Sequence, residues 1–351
     1  MQLSKGPCVK IEKRIAEKIR KILINMNLFD DTRKIISEND YIIIPILRWP
    51  SEEELDIIKN IAEVEIIDME LPSHKKRFKN LIEVLDGRLP PYLLTLLPRS
   101  YDIIGDIGVI EDLDTELLPY KGIIGKALME LHSNLKTVLL KIGKVNGKYR
   151  IPKYEVIAGE EKYNTIHTEY GVKLKIDLQK AYYSPRLATE HNRVASQVKD
   201  GEIVVDMFSG IGSFALHIAK RVFAKVYAID INPNAVNLIK ENIKINKIKG
   251  EIIPLCGDVR DFSDILKRRA DRVIMNLPGE AIEYINLALS FIKEKGGIIH
   301  FYAFSKDIED TKTNLISRLN VKKYDIIHIK RVREVSPKEW QIVIDLSVMP
   351  F

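Results

Sequence analysis

Two short segments place glycines and an acid at a spacing suited to holding a nucleoside. Residues 204–212 read Val-Val-Asp-Met-Phe-Ser-Gly-Ile-Gly, and residues 227–231 read Tyr-Ala-Ile-Asp-Ile. Gly210 and Gly212 permit a tight turn and a close approach of the backbone to a ligand, and the helix expected to follow offers free N–H groups. Asp230, at the end of the second apolar segment, can accept hydrogen bonds from a ribose diol. The pair predicts a nucleoside-containing cofactor across the carboxyl edge of a parallel sheet.

The glycine turn by itself fits two cofactors. Gly210-Ile-Gly212-Ser-Phe-Ala215 also satisfies G-x-G-x-x-A, the dinucleotide fingerprint, and Asp230 follows at about the expected distance. An NAD-dependent oxidoreductase is therefore an alternative when this segment is taken alone.

Two later strand ends favour S-adenosylmethionine. An apolar strand predicted at 251–257 ends at Asp258-Val259, and another at 271–275 ends at Asn276-Leu277-Pro278. An asparagine amide at the tip of the fourth strand can bind the methionine end of the cofactor or a target base, and a proline stiffens the turn. Asn and Pro are also ordinary turn formers, so the prediction rests on all the strand ends together.

Alternating strands and helices must position these residues. We predict strands at 202–208, 225–231, 251–257, 271–277 and 296–304 with helices between them, followed by two consecutive strands at 324–334 and 339–348. An alternating β/α run that ends in a β-hairpin is typical of the seven-stranded, Rossmann-like sheet of class I methyltransferases. A dinucleotide dehydrogenase would normally continue with parallel strands. The predicted fold class is α/β.

Two smaller α/β domains are predicted before this sheet. Residues 1–71 combine a helix at 9–27 with two strands, and residues 72–98 are interpreted as a partly structured, basic linker. Residues 99–181 form a middle domain that begins with a strand at 101–111, and residues 182–351 form the methyltransferase domain. The basic residues of the first helix could contact RNA phosphates, although solvated helix faces are commonly basic.

Composition is that of a multidomain enzyme without an obvious metal or membrane site. The 351 residues are 46% hydrophobic and 30% charged, with a net charge of +6 that mildly favours a polyanionic partner. Cys8 and Cys256 show no metal-ligand spacing, so no metal is implied. We interpret both as buried thiols, with a disulfide left open. No signal peptide or membrane-length run is evident. We expect a cytoplasmic monomer with no membrane partner.

The segment before the sheet narrows the function. Residues 182–191 read Tyr-Tyr-Ser-Pro-Arg-Leu-Ala-Thr-Glu-His. Together with Asp-Met-Phe-Ser-Gly-Ile-Gly, Ala-Ile-Asp-Ile-Asn-Pro and Met-Asn-Leu-Pro, this segment resembles the archaeal and eukaryotic tRNA (guanosine-37 N1)-methyltransferase family over essentially the whole chain. The resemblance implies methyl transfer from S-adenosylmethionine to N1 of guanosine 37 in tRNA, with no covalent enzyme intermediate. A related wybutosine-pathway transferase, which transfers an aminocarboxypropyl group or methylates a wyosine precursor, is the alternative.

The resemblance also implies residue roles. Glu190 is the candidate general base that removes the N1 proton, a role that contributes about 10²–10⁴-fold in rate. Arg150 would contact the target guanine, where a guanidinium stabilises charge developing on O6. Tyr182, Asn276 and Pro278 would line the methyl-transfer pocket. The implied cofactor-binding residues are Arg186, His191, Asp206, Phe208, Gly210, Gly212, Asp230, Ile231, Asp258, Val259 and Asn276.

Overall fold

The chain divides into two compact units. The structure is a computed structural model that describes residues 3–73, 78–146, 149 and 151–351. The units are Met1–Glu83 and Val84–Phe351. Arg150 and residues 74–77, the most basic part of the predicted linker, lie outside the described residues. In the first unit the predicted boundary at residue 71 falls one residue before the end of the last strand.

The first unit is an antiparallel four-stranded sheet with two helices. The strand order is β2-β3-β1-β4. The strands are β1 (Leu3–Glu12), β2 (Ile36–Glu38), β3 (Tyr41–Pro45) and β4 (Glu65–Pro72), and the helices are α1 (Ala16–Asn25) and α2 (Glu52–Lys59). A reciprocal capping box between Ser51 and Glu54 begins α2.

The helix predicted at 9–27 is wrong over its first turns. Residues 9–12 belong to β1, which pairs with both β3 and β4. The physical reason is visible in the burial pattern, because Val9 and Ile11 are buried on either side of Lys10, which is only partly buried. A period of two over a short segment mimics part of a helical pattern.

The second unit begins with a four-stranded sheet covered by a helix. Two short helices, α3 (Leu81–Leu85, across the unit boundary) and α4 (Pro91–Leu94), precede it. The sheet order is β5-β6-β7-β8. Its elements are β5 (Asp102–Ile104), β6 (Ile107–Ile110), α5 (Lys121–Leu131), β7 (Thr137–Asn146) and β8 (Ile151–Gly159).

Two strand predictions in this region need correction. The single strand predicted at 101–111 is a hairpin, because Gly105 adopts a φ of +58° and reverses the chain between β5 and β6. A second strand, β9 (Asn164–Glu169), was not predicted; it forms a separate hairpin with β10 (Val172–Asp177). Every residue of β9 except Ile166 is polar, so the segment lacks the apolar run that marks a buried strand.

The remainder of the second unit is the predicted seven-stranded sheet. Its order is β13-β12-β11-β14-β15-β17-β16, and β17 alone runs antiparallel to its neighbours β15 and β16. The strands are β11 (Ile203–Asp206), β12 (Lys225–Asp230), β13 (Glu251–Cys256), β14 (Arg272–Met275), β15 (Gly297–Ser305), β16 (Lys323–Ser336) and β17 (Glu339–Met349). The α/β class and the terminal hairpin are confirmed.

Helices cover both faces of this sheet. They are α6 (Ala188–Gln197), α7 (Ser213–Arg221), α8 (Pro233–Ile245), α9 (Ser263–Leu266), α10 (Ile285–Phe291) and α11 (Ile308–Ser317). One apolar core includes Val194, Phe214 and Tyr302, and the other includes Phe291, Phe301 and Met275. The strand order reverses between β11 and β14, which is where ligands bind in open α/β sheets.

Two smaller sequence-based expectations are settled by the structure. Both cysteines are free thiols. Cys8 is buried as expected, but Cys256 is exposed, so its interpretation as a buried thiol was wrong. Among the described helices, none is both long and apolar enough to cross a membrane.

Candidate active site

The glycine turn and the end of β12 are tied together by one carboxylate. Asp230 accepts the backbone N–H of Gly210 through Oδ2 and that of Asn232 through Oδ1, both at 2.8 Å. Gly212 has a φ of +84°, and a Cβ there would lie 3.1 Å from Ile239. A Cβ on Gly210 would lie 3.8 Å from the carbonyl oxygen of Tyr182. Glycine therefore keeps open the space between the turn and the segment before α6.

Two carboxylates beside this turn have raised pKa values. Burial raises the pKa of Asp230 to about 6, against the two backbone hydrogen bonds that lower it. Burial and the nearby Asp230 raise the pKa of Asp206 to about 8. Asp206 is fully buried, and no described side chain donates a hydrogen bond to its oxygens; the backbone N–H of Phe208 only partly offsets the rise in pKa. A carboxylate pair of this kind would be stabilised in its ionised form by a cation or by hydroxyl donors.

The predicted adenine-side residues lie at the ends of neighbouring strands. Val259 is buried, and Ile231 is partly exposed directly after β12. Asp258 caps the 3₁₀ turn that follows β13 and accepts the backbone N–H of Arg260 at 3.0 Å, as well as its guanidinium. The ring of Phe208 meets that of Tyr284 edge to face at 5.1 Å. The side chains of Ile231, Val259 and Phe208 thus supply apolar surface at these strand ends, and Asp258 supplies a polar group beside it.

Asn276 is held by the terminal hairpin, a contact that the sequence did not predict. Its Oδ1 accepts a hydrogen bond from Nε2 of Gln341 on β17 at 3.0 Å. Arg333 on β16 donates to Oε1 of Gln341 at 2.8 Å and to the hydroxyl of Tyr182 at 3.1 Å. The carbonyl oxygen of Pro278 accepts the backbone N–H of Phe304 at 3.2 Å. Asn276, Pro278 and Tyr182 are therefore all anchored by β15 or the hairpin.

Glu190 lies buried in the first turn of α6, with 2% of its surface exposed. Arg193, one turn later, donates to both carboxylate oxygens, at 2.6 and 2.8 Å. The hydroxyl of Tyr302 on β15 donates to Oε1 at 2.6 Å. Oε1 thus accepts two of these hydrogen bonds and Oε2 accepts one, so Oε2 keeps acceptor capacity for a further proton donor.

The same arginine continues a buried chain of charged groups. Arg193 donates to the Asp345 carboxylate at 2.6 Å, and Asp345 also accepts from Nδ1 of His300 at 2.6 Å. Arg272 donates to Nε2 of His300 at 2.8 Å, which fixes the histidine as the Nδ1–H tautomer. Burial opposes ionisation of Asp345, but His300 and Arg193 prevail and hold its pKa at about 2. Through Arg193, this network holds the carboxylate of Glu190 in a fixed orientation.

His191 takes part in a second buried cluster rather than standing free. Its Nδ1 lies 2.8 Å from Oε2 of Glu169, whose other oxygen accepts a hydrogen bond from Tyr183. His217 donates Nδ1–H to the carbonyl of Ser213 and directs Nε2 toward Glu169 at 3.5 Å. The three potential ligand atoms lie within 4.8 Å of one another, close enough to contact one metal ion. Glu169 already accepts two hydrogen bonds, so we interpret the cluster as a hydrogen-bonded core.

Two further predicted residues have different outcomes. The Nε of Arg186 donates to Oδ1 of Asp102 on β5 at 2.9 Å, which links the first sheet of the unit to the start of α6. Arg150 lies outside the described residues. The structure therefore brings the glycine turn, Asp230, Asn276, Tyr182 and Glu190 to one edge of the seven-stranded sheet.

The residues that hold the site residues in place were not predicted from the sequence, for a common reason. Gln341, Arg333 and Tyr302 come from strands late in the chain and carry no local motif. Their positions follow only from the strand order, in which β15, β17 and β16 lie beside β14. One sequence signal was available: Gln341 and Asp345 are polar residues within the otherwise apolar strand β17. Such residues are seldom buried without a hydrogen-bond partner, so both could have been predicted to hold another polar group.

Comparisons with known families cover almost the whole chain. The model of the TRM5/TYW2 methyltransferase domain matches residues 165–327. The model of the TYW2 N-terminal domain matches residues 81–162, and that of the tRNA methyltransferase 5 N-terminal domain matches residues 8–54.

Curated relatives give the same assignment. The tRNA (guanine(37)-N(1))-methyltransferase Trm5b of Pyrococcus abyssi is 36% identical over 346 residues, covering 97% of this chain and 98% of the relative. The protein of the same name from Methanocaldococcus jannaschii is 36% identical with the same coverage. A tRNA(Phe) (4-demethylwyosine(37)-C(7)) aminocarboxypropyltransferase of Pyrococcus horikoshii is also 36% identical, but over 76% of this chain and 95% of the relative.

Solved structures agree with the sequence comparisons. The structure of aTrm5 in complex with tRNALeu matches with a TM-score of 0.83 and 34% identity, over 98% of this chain and 100% of that one. The crystal structure of Trm5b from Pyrococcus abyssi matches with a TM-score of 0.72 and 36% identity, over 99% and 100% of the two chains.

Proposed function

Because the chain belongs to the TRM5/TYW2 family of methyltransferases, we propose that it transfers the methyl group of S-adenosylmethionine to N1 of guanosine 37 in tRNA. The cofactor is S-adenosylmethionine rather than NAD, which agrees with the antiparallel hairpin that closes the sheet. When bound, the cofactor supplies an electrophilic methyl group on a sulfonium. Everything else in the reaction is binding, orientation and proton movement by the chain's own residues.

The residues present fit this cofactor. The glycine turn leaves room beside Gly210, and Asp230 lies at the end of β12 with acceptor capacity for two ribose hydroxyls. Ile231 and Val259 supply apolar surface for the adenine, and Asp258 a polar rim. Asp206, Arg186, Phe208 and Gly212 complete the proposed cofactor-binding set. His191 is also assigned to this set, but it is buried against Glu169, so its proposed contribution is through the packing of the core. The buried oxygens of Asp206, to which no described side chain donates, suit an environment that becomes more positive when the cofactor binds.

One observation carries the proposed chemistry: the partner of Asn276 and the anchor of Glu190 lie on the same face of the sheet. Asn276 directly follows β14 and accepts a hydrogen bond from Gln341 on β17. Gln341 lies two residues before Val343, which pairs with Tyr302, so Gln341 and Tyr302 share a face. Glu190 is bound to Tyr302 on that face.

The proposed proton transfer follows from this arrangement. Guanine N1 carries a proton that must leave as the N–CH₃ bond forms, and Glu190 takes it on Oε2, the oxygen with remaining acceptor capacity. The lone pair released on N1 attacks the methyl carbon in line with the breaking bond to sulfur. Arg150 stabilises the charge on O6, and Tyr182, Asn276 and Pro278 hold the base. No cysteine is assigned as a nucleophile.

Glu190 is almost fully buried, so guanosine 37 must leave its stack for its N1 to reach this carboxylate. Residues 1–71, with their basic α1, are proposed to contact the rest of the tRNA through phosphates and shape. We propose that a monomer acts on tRNA in the cytoplasm.

Mass mapping of the modified nucleoside tests this function. A tRNA transcript with guanosine at position 37 is incubated with the protein and S-adenosylmethionine, then digested, and the product is identified by mass and retention. We expect 1-methylguanosine at position 37 and no product on a matched transcript with adenosine there. Absence of any product from guanosine 37 would contradict the proposed methylation. The wybutosine-pathway alternative is tested separately, on a tRNA that carries a tricyclic wyosine precursor at position 37, where gain of an aminocarboxypropyl or methyl group would support it.

A further inference from the structure

A hydrogen-bonded chain from the terminal hairpin reaches two residues of the proposed pocket. Gln341 donates to Asn276 at 3.0 Å, and Arg333 donates to Gln341 at 2.8 Å. Nη2 of Arg333 donates to the hydroxyl of Tyr182 at 3.1 Å, and its Nη1 lies 3.5 Å from Oγ of Ser184. Gln341 has 1% of its surface exposed, so water does not compete for its amide.

The chemistry of arginine fixes the direction of this chain. A guanidinium can only donate hydrogen bonds, so the atom of Gln341 that faces Arg333 must be the carbonyl Oε1. The amide nitrogen of Gln341 then faces Asn276, and a nitrogen donor requires Oδ1 of Asn276 as its acceptor. The orientation of both amides follows from the arginine, although an isolated amide could be placed either way round.

Asn276 is left with its donor end free. Oδ1 is engaged by Gln341, and no described residue accepts a hydrogen bond from Nδ2. Asn276 is partly exposed directly after β14, and Nδ2 is the end of its amide that remains available to a ligand. A donor in this place is complementary to a carbonyl oxygen of a base, on which negative charge grows as the neighbouring ring nitrogen loses its proton.

We propose that Gln341 and Arg333 are positioning residues, which orient Asn276 so that its Nδ2 hydrogens are presented to the exocyclic carbonyl oxygen of the target base and which hold Tyr182 beside it. The inference rests on the proposed function, because it names how that pocket distinguishes a base with a carbonyl from one with an amino group at the same place. An amino group would meet the Nδ2 hydrogens donor to donor, which is repulsive.

In this proposal the terminal hairpin orients Asn276 and Tyr182 in addition to completing the sheet. Arg333 lies on β16, the outermost strand, and Gln341 on β17, where it pairs with Phe304 and Arg333 at the carboxyl end of β15. The register of β16 against β17 shifts between Arg331 and Arg333 and again between Glu334 and Ser336. Irregularities of this kind re-aim side chains next to active sites, and here the side chain re-aimed is Arg333.

Single-turnover methyl transfer with a double-mutant cycle tests the proposal. Gln341→Met removes both amide contacts at similar volume, and Asn276→Ala removes the group on which they act. In the wild-type background we expect Gln341→Met to slow methyl transfer by about 10²-fold, the scale for loss of one oriented donor. In the Asn276→Ala background it should add less than about twofold, because a residue that acts through another has no effect once that residue is gone.

A charge-matched pair separates positioning from tRNA attraction. Arg333→Gln and Lys330→Gln each remove one positive charge from β16, but the described contacts of Lys330 do not include a pocket residue. We expect Arg333→Gln to slow single-turnover transfer at least about tenfold. Lys330→Gln should leave that rate within about twofold and weaken tRNA binding only slightly, in a salt-dependent manner. Affinity for S-adenosylhomocysteine should be unchanged in both variants.

Two results would overturn the proposal. One is an additive cycle, in which Gln341→Met slows transfer equally with and without Asn276; the other is an equal loss of rate in the two β16 variants. If Gln341→Met does not fold, the double-mutant cycle is measured with Arg333→Gln and Asn276→Ala instead, because Arg333 is only half buried. A wild-type product other than 1-methylguanosine would contradict the proposed function alone, since the cycle can then be measured on the rate of that product.

Discussion

The hydroxyl of Tyr302 donates a hydrogen bond to Oε1 of Glu190 at 2.6 Å, joining a strand in the middle of the sheet to the first turn of a helix 112 residues earlier. Arg193 holds the same carboxylate from the other side. Glu190 is therefore an anchor of the fold as well as the proposed base. Experiments on Glu190 must separate the two roles.

Replacing Glu190 with Gln should affect both chemistry and stability. We expect the single-turnover rate to fall by about 10²-fold or more, the scale for loss of a general base. The free energy of unfolding should also fall, by about 3 kcal/mol, because the buried carboxylate is lost and the partly buried Arg193 keeps only one of its two charge partners. Rates from rapid quench and urea unfolding curves measure the two effects on one preparation.

Tyr302→Phe is the matched control for that experiment. It keeps the carboxylate and the ion pair with Arg193 but removes one hydrogen bond, at a cost of about 1 kcal/mol in stability. Its rate should stay within about tenfold of wild type. If Glu190→Gln methylates tRNA at the wild-type rate at neutral pH, the residue serves only as an anchor.

Asp230→Ala should weaken cofactor binding at least tenfold while the chain stays folded. Loss of a charged acceptor for two ribose hydroxyls costs about 1.5–3 kcal/mol, and the N–H groups of Gly210 and Asn232 lose their shared partner as well. Calorimetric titration with S-adenosylhomocysteine measures the change. Asp264→Ala, at an exposed position in α9, is the control, and unchanged affinity in Asp230→Ala would remove the assignment.

The raised pKa of Asp206 predicts how the cofactor-free protein responds to pH. Its folded-state pKa is about 8, against about 3.9 for an unfolded aspartate. Between these values the folded chain holds a proton that the unfolded chain has lost, so this group makes the free energy of unfolding fall as pH rises. The contribution is favourable to folding at low pH and is lost as the pH approaches 8.

Asp206→Asn should abolish that slope. Relative to wild type, the variant should gain up to about 1.4 kcal/mol in unfolding free energy for each pH unit between roughly 6 and 8. Urea unfolding at a series of pH values measures the difference, with Asp264→Asn as an exposed control. Parallel curves for Asp206→Asn and wild type over this range would show that Asp206 is ionised in the folded protein at neutral pH.

The sequence was sufficient to predict the turns and strand ends that depend on local pattern, whose proposed roles in binding remain predictions. Gly210, Gly212 and Asp230 were predicted because a tight turn followed by a helix, and an acid at a strand end, leave a recognisable spacing. Strand alternation followed by a hairpin likewise identified the seven-stranded sheet. These features depend on interactions between residues close in the chain, so periodicity and turn chemistry reveal them.

The remainder depended on pairings between distant segments. Gln341 and Tyr302 take their roles from the strand order, which places β15 and β17 beside β14. The helix predicted from residue 9 failed for the same reason, since residues 9–12 are held as a strand by neighbours on both sides. A local pattern could not reveal that tertiary pairing would prevail.

The last prediction concerns residues 1–71, which we propose as a separate tRNA-contacting module. The compact unit that contains them ends at Glu83, inside α3. A chain beginning at Lys79 keeps α3 and its first-turn hydrogen bonds and is the variant to prepare. Every residue assigned to the cofactor lies beyond that point. The shortened protein should therefore bind S-adenosylhomocysteine with near-normal affinity.

The activity of the shortened protein on tRNA should fall mainly because it binds tRNA more weakly. Lost contacts that are equal in the ground and transition states raise KM more than they lower kcat, so steady-state kinetics on full-length tRNA should show a larger change in KM. If residues 1–71 also contact parts of the tRNA outside the anticodon stem-loop, their removal should make the activities on full-length tRNA and on an anticodon stem-loop more similar. The full-length protein assayed on both substrates is the reference. Loss of cofactor binding in the shortened chain would place residues 1–71 in the catalytic core instead, because a module that only contacts tRNA has no effect on the cofactor site.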